Sequence, residues 1–545
     1  MKNKLLTGKF LLVLIISIAT FFINNRVVIP DIMESRNIVT AREMVYDGNW
    51  MVPTMNGELR LEKPPLPTWI AAVAEIISPD NIELQRAMAG LAAVMLMIFF
   101  YLIAVNLVKN QSFAFVSTLI LCTSYNVILI ARTASWDIFC HAFMLGAIYF
   151  MIKGFQDRKS NTSFLWAGLF MGLSFMSKGP VSFYALLLPF IISYTLCYRP
   201  LMKGKWKYIG WMMLICIIVG GWWYGYIYMF EHDAMNYVAN KESNSWLNRS
   251  VRPWYYYWKF FLETGIWSLA LITAILLPFR NRDIRSKVEF MFPYMWMFVT
   301  LILLSCLPEK KNRYLLPILI SASYVTGYLF YYWEEKLRSY RKSDFDKFLF
   351  RLNAWLIALI VISLPILGYV FVYRNGYISL PALILISVGI EAVAWWIIKS
   401  AVNLRPFGMV EGVVVLFLIL ECFALPFMEN IINNPEINSI SKTREMKELK
   451  DIPFYYNSKD ELRIEIVYAA GRKIRPLDVS NKDSVLSKLP FVLLTHKEVK
   501  DEVDATVLNK IDTEAICASD DNRWSKKDKR YKETFVYNIT LLKNK

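Results

Sequence analysis

Arg86-Ala-Met-Ala-Gly-Leu-Ala-Ala-Val-Met-Leu-Met-Ile-Phe-Phe-Tyr-Leu-Ile-Ala-Val-Asn-Leu-Val108 carries no charge beyond its first residue. A hydrocarbon core about 30 Å thick is crossed by roughly 20 such residues in a helix. Read outward from this stretch, the chain offers thirteen candidate spans, near 10–27, 84–107, 113–130, 138–152, 164–177, 180–198, 208–230, 257–279, 290–307, 314–333, 352–373, 378–398 and 409–427. The fold class expected is therefore a polytopic α-helical membrane protein with about 13 transmembrane helices. Composition agrees: 56% of the 545 residues are hydrophobic, against roughly 45–50% in soluble domains. A mean hydropathy of +0.36 with 19% charged residues excludes a disordered chain, a fibrous chain or a soluble multidomain enzyme.

The net charge of +16 would suggest nucleic acid in a soluble protein, but here its location decides otherwise. With the N-terminus inside, the cytoplasmic loops carry Lys109; Lys153, Arg158 and Lys159; Arg199, Lys203, Lys205 and Lys207; Arg280, Arg282, Arg285 and Lys287; Arg338, Arg341 and Lys342; and Lys399. That is the positive-inside bias, so membrane lipids are expected as partners and nucleic acid is not. Lys2, Lys4 and Lys9 before an apolar run imitate a signal peptide, yet no A-x-A cleavage site follows, and a retained first helix is expected. Six of the seven cysteines lie in apolar stretches and the three histidines, His141, His232 and His496, lie far apart in sequence. Neither a disulfide framework nor a histidine-based triad is expected.

Between the first two spans, residues 28–83 make a loop far longer than neighbouring helices need. Arg36, Thr40, Glu43 and Asp47 recur at helical spacing with Ile38, Ala41 and Val45 on another face, which predicts an amphipathic helix over about 32–47, lying on the membrane surface and ended by Gly48-Asn49. Pro64, Pro65 and Pro67 then impose extended or turn geometry and hold Glu62 and Lys63 near the interface. The tail, 431–545, changes to alternating polar and apolar residues. Arg463-Ile-Glu-Ile-Val-Tyr468, Phe491-Val-Leu-Leu-Thr495 and Thr534 to Leu541 are read as strands of a small soluble α/β domain. An odd number of crossings places it outside the cytoplasm.

Glu34-Ser-Arg36, Ala41-Arg-Glu-Met44, Asn49-Trp50, Pro53, Asn56-Gly57 and Glu62-Lys-Pro-Pro-Leu66 resemble the first extracytoplasmic loop of the aminoarabinose transferases that modify lipid A. Those enzymes belong, with the protein O-mannosyltransferases, to the membrane-embedded C-type glycosyltransferases. Arg132-Thr-Ala-Ser-Trp-Asp137, Gly168 to Pro180 and Pro308-Glu-Lys-Lys-Asn-Arg-Tyr-Leu-Leu-Pro317 resemble the same superfamily in the same order, so the likeness covers about 1–430. It implies a transmembrane glycosyltransferase domain over 1–430, with its catalytic loop at 28–83. It also implies a bacterial inner-membrane location, with active site and tail facing the periplasm.

The reaction implied is transfer with inversion of a sugar, such as 4-amino-4-deoxy-L-arabinose, from a polyprenyl-phosphate donor to lipid A or a related glycolipid. Such a transfer requires cations for the departing phosphate and a carboxylate to take the proton of the attacking hydroxyl. Cations against the positive-inside trend, Arg36, Lys63, Arg132, Lys178, Lys310, Lys311 and Arg313, suit the first role. By resemblance Lys63 and Tyr314 line the phosphate site, Arg36 is a basic site residue, Glu62 touches a divalent metal, and Asp137 is an acidic residue of the cavity. The family's Asp-Glu pair is only half kept: its first acid falls on Met33, which leaves Glu34, with Asp31 upstream, as candidates for the base. The histidine that assists the metal in some relatives has no counterpart near Glu242.

Structural readings compete with each assignment. Asp31-Ile-Met-Glu34 has the form of a capping box, Asp137 can cap a helix, Glu62-Lys63 can be an interfacial ion pair, and Lys178 can snorkel at a helix end. Lys310, Lys311 and Arg313 can bind lipid head groups, and Trp254-Tyr-Tyr-Tyr-Trp258 reads as an aromatic belt. Two alternatives of function remain open: a protein or glycan glycosyltransferase of the same superfamily, and a flippase for lipid-linked sugars. A flippase should show paired repeats with broken helices, whereas the distinctive residues here gather in one loop and at outer helix ends.

Overall fold

The computed structural model describes residues 8–156, 161–248, 250–338 and 344–545. Lys2, Lys4, Arg158, Lys159, Arg341 and Lys342 lie outside the described residues. The chain forms two compact units. The first takes the chain up to Asn25 with Leu61–Pro67 and Arg86–Phe427; the second takes Arg26–Arg60, Thr68–Gln85 and Met428–Lys545.

The first unit is helical, and the protein is a multi-pass membrane protein. Each of the thirteen apolar runs falls on a helix, but among the described residues nine helices are long and apolar enough to cross a membrane. Gln111–Cys122 and Tyr125–Ala131, bent by 71°, make a tenth if they count as one span. The shortfall has local causes. Gly8–Phe22 stops short of the predicted end because Asn24 takes a left-handed φ of 52°; its 15 residues rise only about 22 Å. Ser163–Lys178 and Phe183–Tyr198 are separated by Gly179, whose φ of 68° breaks the helix.

Helix depth follows composition. The apolar window of Asn312–Leu337 is 89% buried, whereas those of Trp206–Phe230 and Asp344–Tyr373 are 22% and 17% buried. The first is the centre of this unit, and the other two present apolar surface to lipid. Ser163–Lys178 packs closely on Trp206–Phe230 because Gly168 and Gly172 face it: a Cβ at Gly168 would lie 2.4 Å from the Met212 carbonyl oxygen. Small residues bring backbones together where lipid supplies no hydrophobic drive.

The second unit is built on a five-stranded sheet in the order Ile474–Leu477, Phe454–Asn457, Phe491–Thr495, Val536–Asn544, Ile511–Asp520. The first three run parallel, and the last two pair antiparallel. Phe491–Thr495 is buried throughout, as a central strand covered on both faces should be. Its side chains alternate: Val492 and Leu494 join one apolar core, Phe491 and Leu493 the other. The predicted strand at 463–468 is instead the helix Ile464–Ala470, closed by Gly471 at φ 73°. Ile466, Val467 and Ala470 form one buried helical face there, and two alternating isoleucines are too short a pattern to outweigh it.

The helix predicted over 32–47 spans Ile32–Asp47, but it does not lie on a surface. Val39 enters the core of the sheet domain, while Ala41 and Met44 pack on Ala71 and Ala72. Its polar residues are buried because they have partners in this unit. Glu43 Oε2 accepts hydrogen bonds from Thr54 Oγ1 (2.6 Å) and the Gly57 amide (3.1 Å), pinning a hairpin whose turn, Asn56-Gly57, has φ of 57° and 82°. Such a turn selects Asn-Gly. The Asn56 side chain then pairs with the backbone of Ile474, accepting from its amide (2.8 Å) and donating to its carbonyl (2.7 Å), and so covers the sheet edge. Pro67, predicted to hold the chain extended, lies in the first turn of the helix Leu66–Ile77, where a missing amide costs nothing.

Candidate active site

In the first unit, three backbone breaks bring side chains together. Asp137 sits in the first turn of Trp136–Gln156. Lys178 ends Ser163–Lys178, which Gly179 caps. Leu307 to Leu315 is a non-α connection that leads into the central helix. Lys178 Nζ forms an ion pair with Asp137 Oδ1, and Arg313 Nη1 lies 3.9 Å from Oδ2. The pair is deeply buried, with side-chain exposures of 4% for Lys178 and 1% for Asp137. His141, one turn further along the helix, is also buried.

Tyr314 joins this pair to a second one. Its ring centroid is 4.9 Å from Lys178 Nζ and 5.7 Å from Lys311 Nζ, so two ammoniums share one aromatic ring. The Tyr314 hydroxyl donates to Glu309 Oε2 (3.3 Å), and Lys311 Nζ pairs with Glu309 Oε1 at 2.5 Å. The backbone of this segment is held by side chains. Tyr257 Oη accepts from the Lys311 amide (3.0 Å) and donates to its carbonyl (3.3 Å), and Asn126 Nδ2 donates to the Asn312 carbonyl (3.0 Å). The aromatic run at 254–258 therefore also contributes a positioning residue, Tyr257.

Three cations stand here against two carboxylates, which favours an anion. The charges are not equally available: Lys178 is spent on Asp137, whereas Lys311 and Arg313 keep 36% and 25% of their side-chain surface open. Lys310 is turned away, its ammonium donating to the Leu307 carbonyl, and burial lowers its pKa. Glu309 and Tyr257 were not singled out in the sequence. Glu309 lies inside the Pro308–Pro317 motif beside two lysines, where an ordinary ion pair accounts for a carboxylate.

Other sequence candidates are engaged elsewhere. Arg132 donates to the carbonyls of Thr20 (2.6 Å) and Ile23 (2.6 Å), closing the C-terminal end of the first helix. Glu62 Oε1 lies 3.1 Å from Lys241 Nζ, and Lys63 beside it is half-buried. The surroundings of Glu62 do not fit a divalent cation. An ammonium already stands at its carboxylate, and among the described residues no three His, Cys, Asp or Glu side chains converge. The side chain of Glu242 lies outside the described residues.

In the second unit Asp31 is the N-cap of Ile32–Asp47. Its Oδ1 accepts from the amides of Met33 (2.8 Å) and Glu34 (2.9 Å), and Glu34 Oε2 accepts from the Asp31 amide at 3.3 Å. The capping box is complete, and the reciprocal bond from Glu34 is the longest of the three. Glu34 is buried and Arg36 half-buried.

Residues 62–224 match the family model described as dolichyl-phosphate-mannose-protein mannosyltransferase. The structure aligns with ArnT of Cupriavidus metallidurans, solved with undecaprenyl phosphate bound, at a TM-score of 0.68 over 98% of both chains and 14% identity. The chain has the membrane-embedded C-type glycosyltransferase fold. An uncharacterized protein of Aquifex aeolicus is 27% identical over 324 residues, covering 58% of this chain and 63% of that one. An undecaprenyl phosphate-alpha-4-amino-4-deoxy-L-arabinose arabinosyl transferase of Yersinia enterocolitica is 26% identical over 318 residues, 54% of this chain and 55% of that one. One of the same description from Pseudomonas fluorescens is 26% identical over 400 residues, 70% of this chain and 66% of that one. The chain thus spans a little over half the length of the first curated relatives it matches. Within the C-type fold, the matched family segment contains Lys63, Asp137 and Lys178 and stops before Lys311 and Arg313.

Proposed function

We propose that the chain is an inverting glycosyltransferase of the bacterial inner membrane that moves a sugar from a polyprenyl-phosphate donor to a lipid A-like glycolipid on the periplasmic side. The observation that carries this reading is the cation cluster around Tyr314, in which Lys311 and Arg313 remain accessible while Lys178 is fixed by Asp137.

In this reading an acceptor hydroxyl oxygen attacks the anomeric carbon of the donor. The new C–O bond forms as the bond to the phosphate oxygen breaks, and the electron pair leaves with the polyprenyl phosphate. Negative charge grows on that phosphate, so fixed cations act where charge develops. Lys311 and Arg313 meet the phosphate, with Lys63 as a third cation of the same role. Asp137, ion-paired and buried, holds Lys178 and Arg313 in place. The acceptor proton goes to a carboxylate of the first loop. Glu34 is favoured over Asp31, because Asp31 Oδ1 already accepts two amides and is committed to the cap, whereas Glu34 makes only the longer reciprocal bond. The sugar transferred is 4-amino-4-deoxy-L-arabinose or a close relative, a reading supported by the arabinosyl transferases that the chain resembles. Mass spectrometry of lipid A from cells with and without the active chain tests it. A mass increment equal to one sugar is expected, and an unchanged lipid A profile with a well-expressed chain would overturn this acceptor.

A further inference from the structure

The second unit contains a cavity of about 450 Å³ that the proposed transfer does not use. The C-terminal half of Ile32–Asp47 forms one wall, through Arg42 and Tyr46, and the turn after Ile464–Ala470 with the strand that follows forms the other, through Arg472, Lys473 and Arg475. Its volume falls in the range of small-molecule sites.

The carboxylates that line it are already engaged. Glu43 is held by Thr54 and Gly57. Asp47 pairs with Lys473 at 2.6 Å. Asp80 is shared by Arg42 and by Arg444, the latter at 3.2 Å. Four cations and three carboxylates line the cavity. Arg472 donates to the Leu449 carbonyl and lies over Phe454, with the charge of Asp451 acting on it. Arg475 is exposed on the strand Ile474–Leu477.

Arg42 is the telling residue. It is only 6% exposed, yet Nε and Nη1 of its guanidinium make no hydrogen bond. A buried guanidinium with idle donors is costly unless something accepts from it. The wall is also shaped for close packing, since a Cβ at Gly471 would come within 2.7 Å of Arg444 Nε. Tyr46, 62% exposed at the rim, offers a hydroxyl and an aromatic ring of the kind on which sugars stack.

We propose that this cavity binds a phosphorylated saccharide, with the phosphate taken by Arg42 and Arg475 and the sugar set against Tyr46. Arginine forks match phosphate geometry. The same chemistry is offered by a soluble sugar phosphate and by the phosphorylated head group of a glycolipid. The site does not depend on the transfer reaction proposed above.

The test is calorimetric titration of the purified full chain, in a neutral detergent at low salt, with glucose 1-phosphate and with glucose. Saturable binding of the phosphate ester and none of glucose is expected. Losing one charge-assisted contact should weaken binding roughly ten-fold or more in Arg475→Ala, an exposed position that leaves the Asp80 pairs intact, and likewise in Arg42→Lys. Lys510→Ala, at an exposed lysine of the second unit outside the cavity lining, should bind as the wild type does. Absence of binding, affinity unchanged in both arginine variants, or loss in Lys510→Ala alone would each overturn the proposal. Adding a phosphorylated glycolipid to the micelle assigns the source: displacement of the sugar phosphate supports a lipid head group, and retention supports a soluble ligand.

Discussion

Lys178 and Asp137 should be strongly coupled, and a double-mutant cycle measures by how much. Their side chains are 4% and 1% exposed, so neither charge is solvated once its partner is gone. Breaking a buried pair from one side costs about 3–5 kcal/mol, whereas replacing both members is nearly neutral. The structure orders the singles. Asp137→Asn leaves Lys178 and Arg313, 3.9 Å from Oδ2, facing each other without a carboxylate, and belongs at the upper end. Lys178→Met leaves Asp137 with Arg313 still near and belongs at about 3 kcal/mol. The double variant should cost about 2 kcal/mol or less, which gives a coupling of several kcal/mol. Unfolding of the full chain in mixed micelles by increasing fractions of anionic detergent, followed by tryptophan fluorescence, supplies the values. Additive single costs would refute the buried pair, and with it the role of Asp137 in fixing the cluster.

Three further outcomes follow from other contacts. Glu34→Gln should lose turnover with stability intact, since glutamine still serves at the third position of the capping box, while Asp31→Ala should lose mainly stability, about 1 kcal/mol, and Asp31→Asn, which still caps, should keep both; loss of turnover in a stable Asp31→Asn protein would reverse the two roles. Asn56→Ala removes two bonds to Ile474 and a favoured left-handed residue, so the second unit should lose about 2 kcal/mol. Hydrogen exchange at Ile474 reports it, and unaltered protection would contradict the edge-covering role. Asp521 is held up at about 6 by burial, against the help of Ser439 and the Ile440 amide. Its neutral form is favoured in the folded chain, so its contribution is full below about pH 4 and is lost as pH rises through 6, by about 3 kcal/mol. Asp521→Asn should flatten that dependence in thermal unfolding between pH 4 and 7, and an unchanged slope would contradict it.

How much the sequence disclosed varies with the physics involved. Apolar runs locate helices because burial in lipid leaves a continuous signal, yet Gly8–Phe22 and Ser163–Lys178 show that a run does not fix whether its helix is long enough to cross. Phe491–Thr495 was legible as a strand through alternation, whereas 463–468 was not legible as a helix, because its burial is decided by packing rather than period. The surface helix at 32–47 was misplaced for a related reason: Arg42 and Glu43 look solvated in sequence, and their partners Asp80, Thr54 and Gly57 are set by the fold. At the candidate site, Asp137, Lys178, Arg313 and Tyr314 were named from motifs and lie together. Glu309 and Tyr257 went unnoticed because a carboxylate beside lysines and a tyrosine in an aromatic belt each have an ordinary explanation.

The proposed transfer breaks the sugar–phosphate bond of the donor and forms a bond from the sugar to the acceptor. The most direct measurement reconstitutes the purified full chain with a polyprenyl-phosphate aminoarabinose donor and lipid A, and follows both products. Polyprenyl phosphate should be released in step with glycosylated lipid A whose anomeric configuration is opposite to the donor's, and release should fall by about 10²–10³ in Lys63→Ala. Donor that changes leaflet while its sugar–phosphate bond stays intact would contradict this transfer and leave the chain a flippase.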